Sequence, residues 1–162
     1  MGRTWGSPAL LAEDAEKKLD FGEPCLLRTR NGRLIAMLRT EGYLYQSDSA
    51  DDGRTWTPAV KTAMWGFPAH LLELKDGRIL CTYGYRRPPY GLRACISADG
   101  GKSWNIQNEI ILRDDGGTRD LGYPSSVQFP DGRVLTTYWF NQEKPGDPKS
   151  ETRFIAGTFY RP

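Results

Sequence analysis

Groups able to do chemistry are thinly spread along this chain of 162 residues. His70 is its one histidine, near the start of an apolar run, where it reads as a structural hydrogen-bonder ahead of an acid or base. Cys25, Cys81 and Cys95 show no Cys-x-x-Cys spacing and cannot all pair with one another, so they read as reduced core residues. With one histidine and no clustered thiols, a structural zinc site is not expected, and neither a metal nor an organic cofactor is required. Two-carboxylate sugar chemistry needs an Asp/Glu pair converging on one point, and no spacing marks one out. Arg86 and Arg87, in an Arg-Arg-Pro-Pro-Tyr run, read as loop charges at the rim of a cleft. The acid that does recur sits in a turn.

That turn is Ser49-Ala-Asp51-Asp-Gly53-Arg-Thr-Trp56, and it returns as Ser97-Ala-Asp99-Gly-Gly101-Lys-Ser-Trp104, 48 positions on. Gly2-Arg-Thr-Trp5 matches the end of a third copy. In such a turn the Asp carboxylate accepts from turn amides, Gly supplies a positive φ and Trp buries a large surface between strands. This is the Asp-box pattern, and its role is architectural.

A second signature runs in phase with the first. Gly22-Glu-Pro24, Gly66-Phe-Pro68 and Gly122-Tyr-Pro124 each open a strand, and each is followed by Gly32-Arg-Leu34, Gly77-Arg-Ile79 or Gly132-Arg-Val134. With Asn31, Asp76 and Asp131 these make Asn-Gly and Asp-Gly pairs, a strong hairpin signal. Each unit therefore reads as four antiparallel strands, A to D. Strand A is expected at Cys25–Arg30, Ala69–Lys75 and Ser125–Phe129, and strand B at Leu34–Arg39, Ile79–Tyr85 and Val134–Phe140. Strand C is expected at Tyr43–Ser47, Leu92–Ser97 and Phe154–Phe159, and strand D at Thr57–Thr62 and Asn105–Leu112. The only helix-like run, Ala9–Leu19, has a ragged apolar face, and an isolated D strand is expected near Ala9.

Four strands per repeat of about 50 residues define an all-β fold, a β-propeller with three blades over residues 1–162. Three blades cannot close a ring, and the inventory begins with a lone D strand and ends on an A-B-C set. The expectation is a homodimer completing a six-bladed ring, each N-terminal strand finishing the other chain's last blade. A net charge of +2 from 22 interspersed basic and 20 acidic residues argues against a nucleic-acid surface. No apolar run reaches membrane-spanning length, so no membrane partner is expected. The N-terminus lacks a signal-peptide pattern and the cysteine count is odd, which favours the cytoplasm unless the chain is a piece of a secreted or periplasmic parent.

The stretches GEPCLLRTRNGRLIAMLRT, PAHLLELKDGRILCTYGYRRPPYGLRACISADGGKSW and DLGYPSSVQFPDGRVLTTYWF resemble the C-terminal half of bacterial sialidases (neuraminidases), propellers built on Asp-box (BNR) repeats. The likeness covers nearly the whole chain beyond residue 20. It implies a Glu at the start of one strand A, which Glu23 matches, and an Arg at the end of the following strand B, which Arg39 matches. It implies a second Arg on a strand C, matched by Arg93, and a Tyr opening the last blade, matched by Tyr123, with Pro124 replacing the commoner Ser. On this resemblance Tyr123 is a nucleophile, Glu23 its base, and Arg39 and Arg93 bind the substrate, with Arg87 and His70 as further substrate-binding candidates.

Sialic acid carries a carboxylate on the carbon under attack. A carboxylate nucleophile would meet that anion at ~4 Å, costing about 4 kcal/mol at an effective dielectric of 20. A neutral Tyr, deprotonated as it attacks, avoids the repulsion, while arginines grip the anion. The resemblance also places a first arginine and an acid/base aspartate in the N-terminal half, which this chain does not match; Asp120 or His70 is the available acid. A closed homodimer would present Glu23 where that first arginine belongs. Two readings follow: a retaining glycosidase, or half of one, for sialic acid or a related acidic sugar; or a non-catalytic propeller binding a glycan or protein, or a self-assembling scaffold.

Overall fold

The computed structural model describes residue 6, residues 8–144 and 147–162, with 144 and 147–151 traced as backbone alone. Eleven strands are found among them: β1 (Gly22–Arg28), β2 (Leu34–Arg39), β3 (Tyr43–Ser49), β4 (Val60–Trp65), β5 (Ala69–Glu73), β6 (Ile79–Tyr85), β7 (Gly91–Ser97), β8 (Ile110–Arg113), β9 (Gly122–Gln128), β10 (Val134–Lys144) and β11 (Asp147–Tyr160). They form three antiparallel meanders, β1-β2-β3-β4, β5-β6-β7-β8 and β9-β10-β11. These are three propeller blades, the last with three strands. The innermost strands β1, β5 and β9 pack side by side and form a continuous wall.

The turns do what their residues dictate. Asp51 accepts from the Thr55 amide at 2.9 Å, the Thr55 hydroxyl at 2.7 Å and the Ser49 hydroxyl at 2.8 Å. Those bonds, the Thr55 amide foremost, pull its carboxyl down to about 2. Asp99 repeats the arrangement with Ser97 and Ser103. Trp104 donates its Nε1–H to Gln46 at 2.9 Å and packs against the core shared by blades one and two. Both Asp boxes are thus structural. In the hairpins Gly32, Gly77 and Gly132 adopt φ of 89°, 88° and 87°, a region easy only for glycine.

The cores lie between blades. Ile35, Met37, Leu71, Cys81 and Cys95 fill the first interface; Leu80, Val134, Leu121 and Phe140 belong to clusters on the third-blade side. All three cysteines are free, as the sequence implies, and Cys81 and Cys95 face one another in register on β6 and β7.

Two expectations need correction. Residues 8–20 contain neither helix nor strand; Asp14 instead accepts from the amides of Glu16, Lys18 and Leu19 in a tight turn. The strand expected near Ala9 was to complete a blade of a second copy, and a single chain offers it no ladder to join. The Gly2–Trp5 fragment of a repeat lies outside the described residues. The fourth strands also start later than expected, after a 3-10 turn at Ile106–Asn108 in blade two.

Candidate functional site

Each Gly-x-Pro corner lifts its middle residue out of the strand ladder. In blade one the pairing jumps from Gly22↔Arg39 to Cys25↔Met37, so Glu23 and Pro24 form a bulge. Glu23 sits there at φ 36°, and Tyr123, at the matching corner of blade three, at φ 53°. Left-handed backbone at a residue other than glycine is costly and concentrates at functional sites. Between them, in blade two, Phe67 occupies the same sequence slot, 1% exposed, its amide bonded to Gly84.

These three slots converge at one end of the inner wall. The Tyr123 hydroxyl donates to Glu23 Oε1 at 3.0 Å. Arg39, facing Gly22 at the end of β2, donates from Nη1 to Glu23 Oε2 at 2.6 Å and from Nη2 to Glu41 at 2.9 Å. The Phe67 ring is the floor: the Arg39 guanidinium lies 4.6 Å from its centroid and that of Arg86 5.1 Å. Arg86 also stands 5.5 Å from the Tyr123 ring, and its Nε and Nη2 are buried with no hydrogen-bond partner.

The charges set the protonation state. Burial alone would raise the Glu23 carboxyl, but the hydrogen bonds from Arg39 and Tyr123 and the charges of Arg39 and Arg86 outweigh it and hold it below the ordinary value. Glu23 is therefore a carboxylate at neutral pH, placed to accept the Tyr123 proton. The Tyr123 ring itself is 52% exposed, open to a ligand.

Of the sequence candidates, Tyr123, Glu23 and Arg39 come together. Arg93 does not join them. It is 4% exposed, its guanidinium bonded to the Arg113 and Leu92 carbonyls, 3.6 Å from Glu109 and stacked on Tyr85 at 4.4 Å. It is buried on β7 opposite Tyr83, where these groups hold it. Arg87 lies apart from the pair at the rim, over the Trp65 ring at 4.6 Å, and donates to the Tyr85 hydroxyl at 2.6 Å. His70 is half-buried on β5; burial lowers its pKa, and its Nδ1 has no partner. The Asp120 carboxylate lies 3.9 Å from Arg153, while its carbonyl accepts from Trp139 at 3.0 Å. Sequence reasoning missed Phe67 and the inward role of Arg86. The repeated Gly-x-Pro slot pointed to Phe67; nothing in the Arg-Arg-Pro-Pro run says which arginine turns in.

Among solved structures, a protein of unknown function from Dyadobacter fermentans is similar at 40% identity and a TM-score of 0.81, over 98% of this chain and 42% of that one. The chain thus spans less than half of that relative. An α-L-arabinanase of Penicillium chrysogenum (16% identity, TM-score 0.60, 85% of this chain and 46% of that one) shares the fold. So does a xylan β-1,4-xylosidase of Bacillus halodurans (12% identity, TM-score 0.59, 85% and 28%). No curated protein matches the sequence. Residues 1–135 match the model of the BNR repeat-like domain, and with its Asp-box turns and blade topology the chain belongs to that family.

Proposed function

We propose that this chain supplies the tyrosine–glutamate half of a retaining glycosidase for a carboxylate-bearing sugar, with sialic acid the first candidate. The observation that carries this reading is the 3.0 Å bond from the Tyr123 hydroxyl to a Glu23 carboxylate already gripped by Arg39. In the first step the Tyr123 oxygen bonds to the anomeric carbon as the glycosidic bond breaks. Its proton passes to Glu23, and the departing oxygen takes a proton from water. In the second step water attacks the same carbon and gives its proton to the hydroxide left by the first step, the tyrosyl bond breaks and Glu23 returns its proton to Tyr123, so configuration is retained.

The arginines fit a substrate anion. Arg86 offers buried, unpartnered donors beside the Tyr123 ring, and Arg39 stands against the same Phe67 ring. A bound carboxylate shares these cations with Glu23, weakens their hold on it and strengthens it as a base. Fold relatives that act on sugars are consistent with this reading. In this reading a second copy closes the ring: β11 is the third and outermost strand of its sheet, with Ile155 71% and Phe159 55% exposed.

The test is hydrolysis of a fluorogenic sialoside and of a fluorogenic glucuronide by the chain and by Tyr123→Phe. Turnover of either, abolished in the variant, supports the reading. Acidic-sugar binding without turnover, indifferent to Tyr123→Phe, would replace it with a lectin-like role.

A further inference from the structure

Arg39 holds two carboxylates at once. One belongs to the Tyr123 pair, while the other, Glu41, has no part in it. Glu41 sits in the short turn between β2 and β3. Its Oε1 accepts from Arg39 Nη2 at 2.9 Å, and its Oε2 accepts from Arg119 Nη2 at 3.1 Å. Arg119 comes from the loop that leads into β9, 78 residues along the chain. One carboxylate with each oxygen on a different guanidinium is how proteins seize the carboxylate of a ligand.

Nothing packs this carboxylate in place. The Glu41 and Arg119 side chains are 66% and 63% exposed, so the bond between them is of the kind that contributes little to stability. An open cleft of about 290 Å³ is bounded by Arg39, Thr40 and Glu41, with Phe21 and Gly22 on its wall. Its size is at the small end of the roughly 300–1,000 Å³ typical of ligand sites. Asp20 also lines it, which confines an anion to the arginine side. A second observation points the same way: Arg86, 5.1 Å from the Phe67 ring on which Arg39 also rests, keeps two buried donors without a partner.

The geometry points to Glu41 as an internal stand-in for a ligand's carboxylate: Arg39 and Arg119 form an anion subsite beside the Tyr123–Glu23 pair, occupied by Glu41 until the carboxylate of an acidic sugar displaces it. The choice of an acidic sugar as ligand rests on the functional reading above; the two-arginine grip does not.

The experiment is calorimetric titration of the chain, Glu41→Gln and Arg119→Gln with N-acetylneuraminic acid, glucuronic acid and, as neutral control, galactose. Removing the competing charge tightens both acids about 3- to 5-fold in Glu41→Gln, the release of one exposed pair. Losing a charged donor weakens them roughly tenfold in Arg119→Gln, and galactose is unaffected by either change. Superimposable melting curves establish that both exposed substitutions leave the fold intact. Unchanged or weaker acid binding in Glu41→Gln overturns the proposal, as does full affinity in Arg119→Gln or no acid binding by any form. The two readings fail separately. Sialoside turnover lost in Tyr123→Phe, with acid affinity unmoved in Glu41→Gln, keeps the reaction and sinks the subsite. Tighter glucuronate binding in Glu41→Gln without any turnover does the reverse.

Discussion

Tyr123 and Glu23 are 100 residues apart in sequence and 3.0 Å apart in space, hydroxyl to carboxylate. Neither lies in a regular stretch of strand. Each stands at a proline-backed corner with left-handed φ, and blade two between them fixes their separation. In the proposed reaction the hydroxyl is the bond-forming group and the carboxylate its proton acceptor.

Tyr123→Phe keeps the ring and loses only that hydroxyl. Sialoside or glucuronide turnover is expected to fall about 1,000-fold or more, as for loss of a covalent nucleophile. Dissociation constants for the free acids should stay within about threefold, since the arginines remain. Single-turnover kinetics beside calorimetry separates the two quantities; retained turnover would remove Tyr123 from the reaction.

The pH profile follows from Glu23. Its carboxyl lies below its ordinary 4.5, and the base form is the one present above its pKa. The acid limb of kcat/KM, which reports the free enzyme, should therefore fall below about pH 4.5, with a flat profile from there towards neutrality. The same sign holds for stability: the Glu23 contribution is present above the ordinary value and is lost as pH falls through the lowered one. Glu23→Gln should abolish the limb together with most of the rate. An acid limb near pH 6 would point to a different base.

Gly84 tests the positioning of the site from a distance. A Cβ there would stand 2.7 Å from the Phe67 carbonyl oxygen and 3.0 Å from the Gly122 Cα. Gly84→Ala must push apart the Phe67 and Tyr123 corners, at a cost of about 1–3 kcal/mol in urea unfolding. Turnover should fall more than tenfold although no reacting group is altered. A variant with parental stability and rate would show that the corners tolerate displacement.

Phe67→Ala removes the floor. Truncating a buried Phe typically costs about 3–5 kcal/mol. Arg39 and Arg86 both lose the ring they rest on, so acid binding should weaken together with stability. Denaturant titration and calorimetry on the same preparation check both.

Light scattering on a sizing column addresses ring closure. The expected mass is twice that of the chain, with β11 paired across the junction. A well-folded monomer would leave the Tyr123–Glu23 pair without its opposite wall and would refute closure by a second copy.

Much of this was readable in the residues. The Asp boxes marked the blades because each needs its Asp, Gly and Trp, the hairpin turns because each needs its glycine, and strand B of the first two blades falls where the sequence puts it. Tyr123, Glu23 and Arg39 came from the resemblance to bacterial sialidases, which implies a Glu at the start of a strand A, an Arg at the end of the next strand B and a Tyr opening the last blade. The burial of Arg93 was not legible, since its direction depends on which face of β7 meets Tyr85 and Glu109. The inward turn of Arg86 is towards the Phe67 and Tyr123 rings, which come from other segments and which no local pattern encodes. The Glu41–Arg119 link joins two loops with no shared signal. The strand expected near Ala9 is a different case: it was to pair with a second copy, and one chain offers it no neighbour.

The three Gly-x-Pro corners hold Glu23, Phe67 and Tyr123 in one sequence slot, and in blade one the corner is a bulge outside the pleat. A residue in the slot is released from the in–out alternation that fixes every side chain along a strand. Exchanging it changes what the mouth of the wall presents without altering strand pairing. Successive repeats thus act as sockets on a common rail, carrying a carboxylate, an apolar floor and a hydroxyl in the same slot.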